Sequence, residues 1–172
     1  MWLAIDGYNV IADMTGESLG RLDLENEREQ LNQLLIQYRS VSKNRVTVVY
    51  DGARMASGEP RQYSEKGVKI LFSSLGRSAD QVLVQMAQQY GSGLTVVTSD
   101  REVADRSQNS GAVVIASGDF CQRLLMVLEG DEEGFDDAEP EIRRERHLTD
   151  KKGNPRKLSK KERQRNRRLG SI

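Results

Sequence analysis

Short apolar segments alternate with helical patterns along the first three quarters of the chain. Five runs rich in β-branched residues are continuously apolar instead of alternating with polar residues: Trp2–Ile5, Val46–Tyr50, Val68–Phe72, Leu94–Thr98 and Ala112–Ile115. Continuous apolar character is typical of strands that are covered on both faces. The pattern therefore predicts a parallel sheet of about five strands.

Helical periodicity separates most of these strands. One apolar stripe consists of Leu24, Leu31, Leu35 and Tyr38. A second helix is predicted over Ala79–Tyr90, because a capping box at Ser78–Gln81 precedes it and Gly91 follows it. Shorter helices are predicted over about Glu102–Asn109 and Phe120–Leu128. Strands alternating with helices predict right-handed crossovers and a three-layer α/β domain.

Charge divides the rest of the chain. The net charge is zero, yet Glu129–Glu141 holds eight acids and no base, and Lys151–Arg168 holds ten bases and one acid. Such polar composition does not form a core of its own. We therefore predict a domain over 1–128, an acidic linker over 129–150 and a basic, polar C-terminal tail over 151–172. Within the domain, Gly52–Lys66 has no clear period and is interpreted as a loop with at most a short helix.

Several classes of protein are disfavoured by what the sequence lacks. Cys121 is the only cysteine, which excludes an internal disulfide and favours a reducing, cytoplasmic setting. We expect no membrane partner, because no apolar run approaches ~18–20 residues, and we see no secretory signal. The only histidine, His147, lies beyond the domain, so a Ser-His-Asp or Cys-His site is not expected there. The usual glycine-rich nucleotide loops are also missing.

Four carboxylates are predicted to meet at one edge of the sheet. Asp6 ends the first strand, Asp51 ends the second in VVYDG, and Asp100 follows the fourth in TSD. Asp80 lies in the first turn of the helix after the third strand. Ligands of open parallel sheets bind at the carboxyl ends of the strands. Gly7 would let the backbone turn tightly or approach a ligand there.

A group of like charges favours a bound cation. Each carboxylate raises the pKa of the others, and Mg²⁺ or Mn²⁺ relieves the repulsion. One or two such ions can activate water for in-line attack on a phosphodiester. Asn9, Thr98 and Ser99 are candidates for orienting water or the metal ligands, and Arg77 and Arg101 for clamping phosphate.

Ordinary structural roles are open for the same residues. Asp6 and Asp51 fit turn or cap residues, Asp80 fits a residue that complements a helix dipole, and Asp100 fits an N-cap. Four carboxylates that reach one edge of the sheet for four separate structural reasons are less expected than four that share a site. Arg77 and Arg101 are equally compatible with ordinary surface arginines.

The basic tail has a similar pair of interpretations, a solvated, disordered run or an arm that binds RNA phosphates. Its candidate contacts are Lys151, Lys152, Arg156, Lys157, Lys160 and Lys161. Binding through the tail would be largely blind to sequence, because it lacks an aromatic residue for stacking.

The motifs IDGYNVI, VVYDG, GVKILFSSLGRSAD and VVTSDREV, in this order and spacing, resemble the YacP-like branch of the NYN domain family, which is related to PIN-domain nucleases. The resemblance covers about residues 1–128 and implies an acidic metal centre that cleaves RNA. By matching motif it implies a centre at Asp6, Asp80 and Asp100, with Asn9 as the amide after strand one and Asp51 in a less defined role. Gln81 departs from the family pattern, which often has a second acid there. The resemblance also implies bacterial origin and association with the ribosome.

The leading hypothesis is a Mg²⁺- or Mn²⁺-dependent endoribonuclease that leaves 5′-phosphate and 3′-hydroxyl ends. A non-catalytic RNA- or ribosome-binding module that retains the acidic pocket is the alternative. A phosphatase or a DNA-directed flap nuclease is a weaker third. The sequence leaves open the target RNA, the number of metals and the oligomeric state.

Overall fold

The computed structural model describes residues 1–16, 21–52, 61–74, 76–130 and 159–172, and for 21–23 the backbone alone. The strands are β1 (Trp2–Asp6), β2 (Arg45–Tyr50), β3 (Gln62–Glu65), β4 (Val68–Phe72), β5 (Leu94–Val97) and β6 (Val113–Ile115). The helices are α1 (Gly7–Thr15), α2 (Arg21–Val41), α3 (Ala79–Tyr90), α4 (Arg101–Asn109), α5 (Ser117–Glu129) and α6 (Lys160–Leu169), with a 3₁₀ turn at Gly91–Gly93. No helix in these ranges is long and apolar enough to cross a membrane.

The strands form one sheet in the order β3-β4-β2-β1-β5-β6. Every neighbouring pair is parallel except β3 and β4, and β1 lies between β2 and β5. The α/β class and the parallel core of the sheet are confirmed. The number of strands is wrong, because the described residues contain six instead of five.

The additional strand, β3, lies in the segment that the sequence presented as a loop. It pairs antiparallel with β4 at the edge of the sheet, and its first three side chains are exposed. A polar edge strand lacks the apolar run that marks a covered strand. The chain reverses into β4 through Lys66 (φ 43°) and Gly67 (φ 89°), both in the left-handed region that suits hairpin turns. Residues 53–60 of the predicted loop lie outside the described residues.

Helices cover both faces of the sheet, as predicted for three layers. Side chains of β1 and β2 such as Ile5 and Val48 pack with those of α2 and α5 in one apolar cluster. The opposite face packs against α3 and α4, where Ala4 and Val96 meet Leu83. The parallel strands are therefore buried on both sides, which explains their continuous apolar character.

The last part of the basic tail is folded against the domain. Helix α6 lies beside the edge strand β6, and Ile172 is buried in the same cluster as Tyr38 and Leu124. The Asn44 side chain donates to the Ser171 carbonyl at 3.0 Å, and Arg165 pairs with Asp119. For residues 159–172, the interpretation as a disordered run is therefore wrong, because these residues form a helix that a few apolar residues attach to the domain. Most of their side chains are nevertheless exposed to solvent. Residues 131–158, with most of the predicted acidic linker, lie outside the described residues.

Candidate functional site

The carboxyl ends of the three central strands lie side by side. Asp6 is the last residue of β1, Asp51 follows β2, and Asp100 follows β5 by three residues. The chain adds β2 and β4 on one side of β1 and then crosses over to β5 on the other side. Ligands of open α/β sheets bind at the carboxyl ends of the strands, at the point where the strand order reverses in this way. We call the edge formed by Asp6, Asp51, Asp80 and Asp100 the acidic rim.

Asp6 is buried and fully engaged in hydrogen bonds. Its side chain caps α1, with Oδ1 accepting from the Asn9 backbone N–H at 3.2 Å and Oδ2 from Asn9 Nδ2 at 2.8 Å. Burial raises the pKa of Asp6 to about 6, and the negative charges of Asp80 and Asp100 contribute to this rise. The ionised carboxylate is therefore held in an unfavourable electrostatic environment.

Asn9 joins the ends of β1 and β5. Its Nδ2 also donates to Thr98 Oγ1 at 2.8 Å, and Thr98 Oγ1 accepts from the Asp100 backbone N–H at 3.1 Å. Asp100 in turn caps α4, with Oδ1 accepting from the Val103 N–H at 2.9 Å. This network fixes two carboxylates relative to each other across 94 residues of sequence.

Asp80 completes the acidic rim from α3. It is exposed in the first turn of that helix, where Ser78 is the N-cap. Burial raises the pKa of Asp80, and Asp100, Asp51 and Glu102 raise it through charge repulsion. The four predicted carboxylates are therefore electrostatically connected. Glu102 had not been predicted, although an acid in the first turn of a helix that starts at this edge was a visible signal.

The alternative roles hold for some of these residues. Asp6 and Asp100 are both N-caps, as the alternative interpretation proposed, and both also belong to the rim. Capping explains the position of each residue alone. Asp80 lies in the first turn of α3, as the alternative of a residue that complements the helix dipole proposed, and it also lies close enough to repel Asp100.

Gly7 has a different role from the one expected at the sequence level. It is the first residue of α1, and a Cβ there would lie 2.1 Å from the Tyr50 ring. The close approach that requires glycine is thus to a side chain of β2 and not to a ligand. Tyr50 is held in place by its hydroxyl, which donates to Asn32 Oδ1 at 2.8 Å.

The predicted basic contacts are only partly described. Arg77 lies along α3, where its guanidinium contacts the Gln85 side chain and the Gln81 carbonyl. Arg101 is exposed directly after Asp100, and Lys160 and Lys161 are exposed in the first turn of α6. The remaining candidates, Lys151, Lys152, Arg156 and Lys157, lie outside the described residues.

Comparison with known proteins decides the family. The model of the YacP-like NYN domain matches residues 3–169. The chain belongs to the YacP-like NYN family. It is 31% identical over 102 residues to the uncharacterized protein YacP of Bacillus subtilis (strain 168), a match that spans 57% of this chain and 59% of that relative.

Two solved structures support the same fold. The crystal structure of Rae1 (YacP) from Bacillus subtilis matches with a TM-score of 0.58 and 26% identity over 77% of this chain and 78% of that one. The crystal structure of a single-residue mutant of the same Bacillus subtilis protein matches with a TM-score of 0.59 and 24% identity over 76% and 77%. The fold is therefore that of a PIN-like NYN nuclease domain, as the resemblance had implied.

PIN-like NYN nucleases generally use divalent metals, and the donor chemistry of this YacP-like NYN domain fits one. The rim offers hard carboxylate oxygens, and burial together with mutual repulsion raises the pKa of Asp6 and Asp80. Within the described part of the chain, however, no three His, Cys, Asp or Glu side chains are grouped closely enough to bind one ion. Asp80 and Asp100 are both exposed at the rim, and Asp100 is held by its cap on α4.

Gln81 occupies the position where the resemblance implied a second acid in other members of the family. Its Oε1 accepts from the Ser78 backbone N–H at 3.4 Å, and its own N–H donates to Ser78 Oγ at 3.2 Å. A glutamine at this position closes the capping box without adding charge to the rim. Gln81 thus serves the start of α3, which holds Asp80.

Proposed function

We propose that this protein is a divalent-metal-dependent endoribonuclease that hydrolyses RNA phosphodiester bonds at the acidic rim. The observation that carries the proposal is the arrangement of the acidic rim, where buried Asp6 is linked to Asp100 through Asn9 and Thr98 and Asp80 lies close enough to repel both carboxylates. Such an arrangement is unfavourable for the apo-protein and favourable once a cation binds. The membership of a family with a PIN-like nuclease domain supports the same assignment.

Each residue has a distinct role in this proposal. Asp6, Asp80 and Asp100, with Asp51 beside them, hold Mg²⁺ or Mn²⁺. The bound ion supplies positive charge for the phosphate oxygens and lowers the pKa of water. Asn9 holds both oxygens of Asp6 in one orientation, and Thr98 holds the backbone of Asp100. No side chain of the protein acts as the nucleophile.

Basic side chains near the rim would guide the RNA. The pair between Arg165 and Asp119, in the first turn of α5, brings the start of α6 to the same end of the sheet as the rim. Lys160 and Lys161 are exposed there, and Arg101 is next to Asp100. Arg77 and the part of the tail outside the described residues (Lys151, Lys152, Arg156 and Lys157) would add further phosphate contacts. Action on ribosome-associated mRNA in the bacterial cytoplasm is the setting that we propose.

A cleavage assay tests the nuclease. We expect purified protein to cleave an internally placed site in single-stranded RNA when Mg²⁺ or Mn²⁺ is present, to leave 5′-phosphate ends, and to stop in EDTA. Asp6→Asn should abolish cleavage, whereas Asp105→Asn, the same change on an exposed part of α4, should not. Cleavage that persists in Asp6→Asn or without metal contradicts the proposal. Single-stranded DNA, flap DNA and a phosphomonoester in the same assay separate it from a flap nuclease or a phosphatase.

One observation favours a second candidate, a non-catalytic RNA- or ribosome-binding module. The described acidic side chains are not gathered into a ready three-ligand metal group. If the wild-type protein co-sediments with ribosomes and cleaves no RNA at any metal concentration, this second candidate replaces the first.

A further inference from the structure

Basic side chains also gather at the end of the sheet opposite the acidic rim. They come from the last turn of α2, the turns that lead into β2 and β4, the start of β2, and the end of α6. The set is Arg39, Lys43, Arg45, Lys66 and Arg168, and we call it the basic end. Two contacts tie its members to the sheet: Gly67 lies beside the Arg39 side chain, and Arg168 donates to the Ser92 carbonyl at 3.0 Å, just before β5.

The positive charge of the basic end is not neutralised by close acids. The ion pairs among the described residues involve Arg28, Arg106 and Arg165. No Asp or Glu of the described ranges pairs with a member of the basic end. Glu65 and Glu129 lie at the same end of the sheet, and neither forms an ion pair with it there. The acidic rim and the basic end therefore lie at opposite ends of the strands.

An aromatic platform lies within the basic end. The Trp2 ring packs on Tyr90 with centroids 4.4 Å apart, and Trp2 Nε1 donates to Thr47 Oγ1 at 3.1 Å. The Arg45 guanidinium lies 3.9 Å above the Trp2 ring. Stacking on Trp2 holds the Arg45 guanidinium in a fixed plane and leaves its N–H groups able to donate to a ligand. Tyr90 is 41% exposed, so part of its ring is open to a stacking partner.

We propose that the basic end is a second RNA-contact surface, where Lys43 and Arg45 bind phosphates and Tyr90 stacks on a base. Uncompensated basic groups gain affinity from counterion release, and an aromatic beside them adds stacking. The proposal rests on RNA being the substrate, and it adds a contact remote from the site of cleavage. Strands of about five residues separate the two ends by roughly 16 Å. An RNA that contacts both ends must therefore be folded or several nucleotides long.

The test is RNA binding by the full chain, measured in EDTA on the Asp6→Asn background so that cleavage does not interfere. We expect Lys43→Glu with Arg45→Glu to weaken binding of a labelled RNA hairpin with a single-stranded tail by about tenfold at physiological salt. The slope of log affinity against log salt should fall by ~1–2. Arg106→Glu is the matched control, because Arg106 is exposed and already paired with Glu102. An equal loss in that control, or no loss in the double variant, overturns the proposal.

Trp2 gives a readout that is specific to this surface. It is the only tryptophan of the chain, so RNA at the basic end should change its fluorescence, and Tyr90→Ala should reduce that change. If the variant with two glutamates does not fold, the milder variant Lys43→Gln with Arg45→Gln replaces it in the binding measurement. Binding of anionic lipid vesicles but not of RNA would overturn the RNA assignment.

The two proposals fail in different ways. If the protein cleaves RNA but the double substitution does not weaken RNA binding, only the proposal of a second RNA-contact surface is overturned. If the protein never cleaves RNA, yet binds it through Arg45, only the nuclease proposal is overturned.

Discussion

The Asn9 side chain and the Thr98 hydroxyl are joined by a hydrogen bond of 2.8 Å, although 89 residues separate them in sequence. This hydrogen bond connects Asp6, which caps α1, to the segment that carries Asp100. The structure at the acidic rim thus depends on a neutral pair as much as on the carboxylates themselves.

Replacing Thr98 by valine should disrupt this connection. Thr98→Val keeps the shape and removes the acceptor for both Asn9 Nδ2 and the Asp100 N–H. We expect a loss of about 1–3 kcal/mol in the free energy of unfolding, measured by urea denaturation, because donors that are partly buried lose their partner. RNA cleavage should fall as well. Thr95→Val, in the strand that Thr98 follows, is the matched control, since the buried Thr95 hydroxyl has no hydrogen-bond partner in the described structure. A loss of equal size in both variants would contradict the role given to Thr98.

Gly7 and Tyr50 give a second prediction, on packing. Gly7→Ala would place a methyl group against the fully buried Tyr50 ring. The hydrogen bond of the Tyr50 hydroxyl and the packing of the neighbouring rings prevent this ring from moving away. We expect a destabilisation of about 3 kcal/mol by thermal or urea unfolding. Gly118→Ala, also in the first turn of a helix, should be neutral or stabilising by up to about 1 kcal/mol, because the nearest atom to its new Cβ is 3.9 Å away. If both variants behave alike, the close contact with Tyr50 is not what selects glycine.

The strands and the long helices were predictable because burial on both faces leaves a mark in the sequence. Helix α3 begins and ends where its capping box and Gly91 predicted. Helix α1 was missed because Asp6 and Gly7 form an ordinary turn signal, and Val10 and Ile11 are its only buried large apolar residues. Strand β3 carries exposed side chains, and α6 attaches through Ile172, so both depend on contacts that periodicity does not record.

The candidate site, like the fold, was only partly predictable from the sequence. That Asp6, Asp51 and Asp100 end up near one another follows from strand ends in a parallel sheet, and residue order alone is enough to predict it. The bridge between Asn9 and Thr98 and the repulsion between Glu102 and Asp80 require the actual strand order, which places β5 next to β1. Gln81 could be recognised as a capping residue from sequence, and its capping role agrees with its neutral side chain.

The docking of α6 can be tested at its buried end. Ile172→Ala removes apolar contact from a side chain that is only 5% exposed, so we expect a loss of about 2 kcal/mol in the free energy of unfolding and faster amide exchange in α6. Val41→Ala is the control, because Val41 is 66% exposed and its truncation should change stability by less than about 0.5 kcal/mol. Unchanged stability in the Ile172 variant would mean that the helix and the domain do not unfold together.

The pH dependence of stability tests the electrostatics of the acidic rim directly. The pKa of Asp6 is raised from 3.8 to about 6, so the folded protein binds the Asp6 proton more tightly than the unfolded chain does. Stability that depends on Asp6 is therefore lost as the pH rises between about 4 and 6, and is constant above about 7. A shift of this size corresponds to at most about 3 kcal/mol. The measurement is the free energy of unfolding of the metal-free wild type minus that of Asp6→Asn, from pH 4.5 to 8.

Other titrating groups largely cancel in this difference. Mn²⁺ should reverse the trend, because a cation binds the ionised carboxylates and stabilises the folded state above pH 6. Asp105→Asn, the same change at an exposed carboxylate of α4, provides the comparison. A flat difference for Asp6→Asn would mean that Asp6 is not strained by burial and by its neighbours. Manganese would then have no repulsion to relieve at the rim.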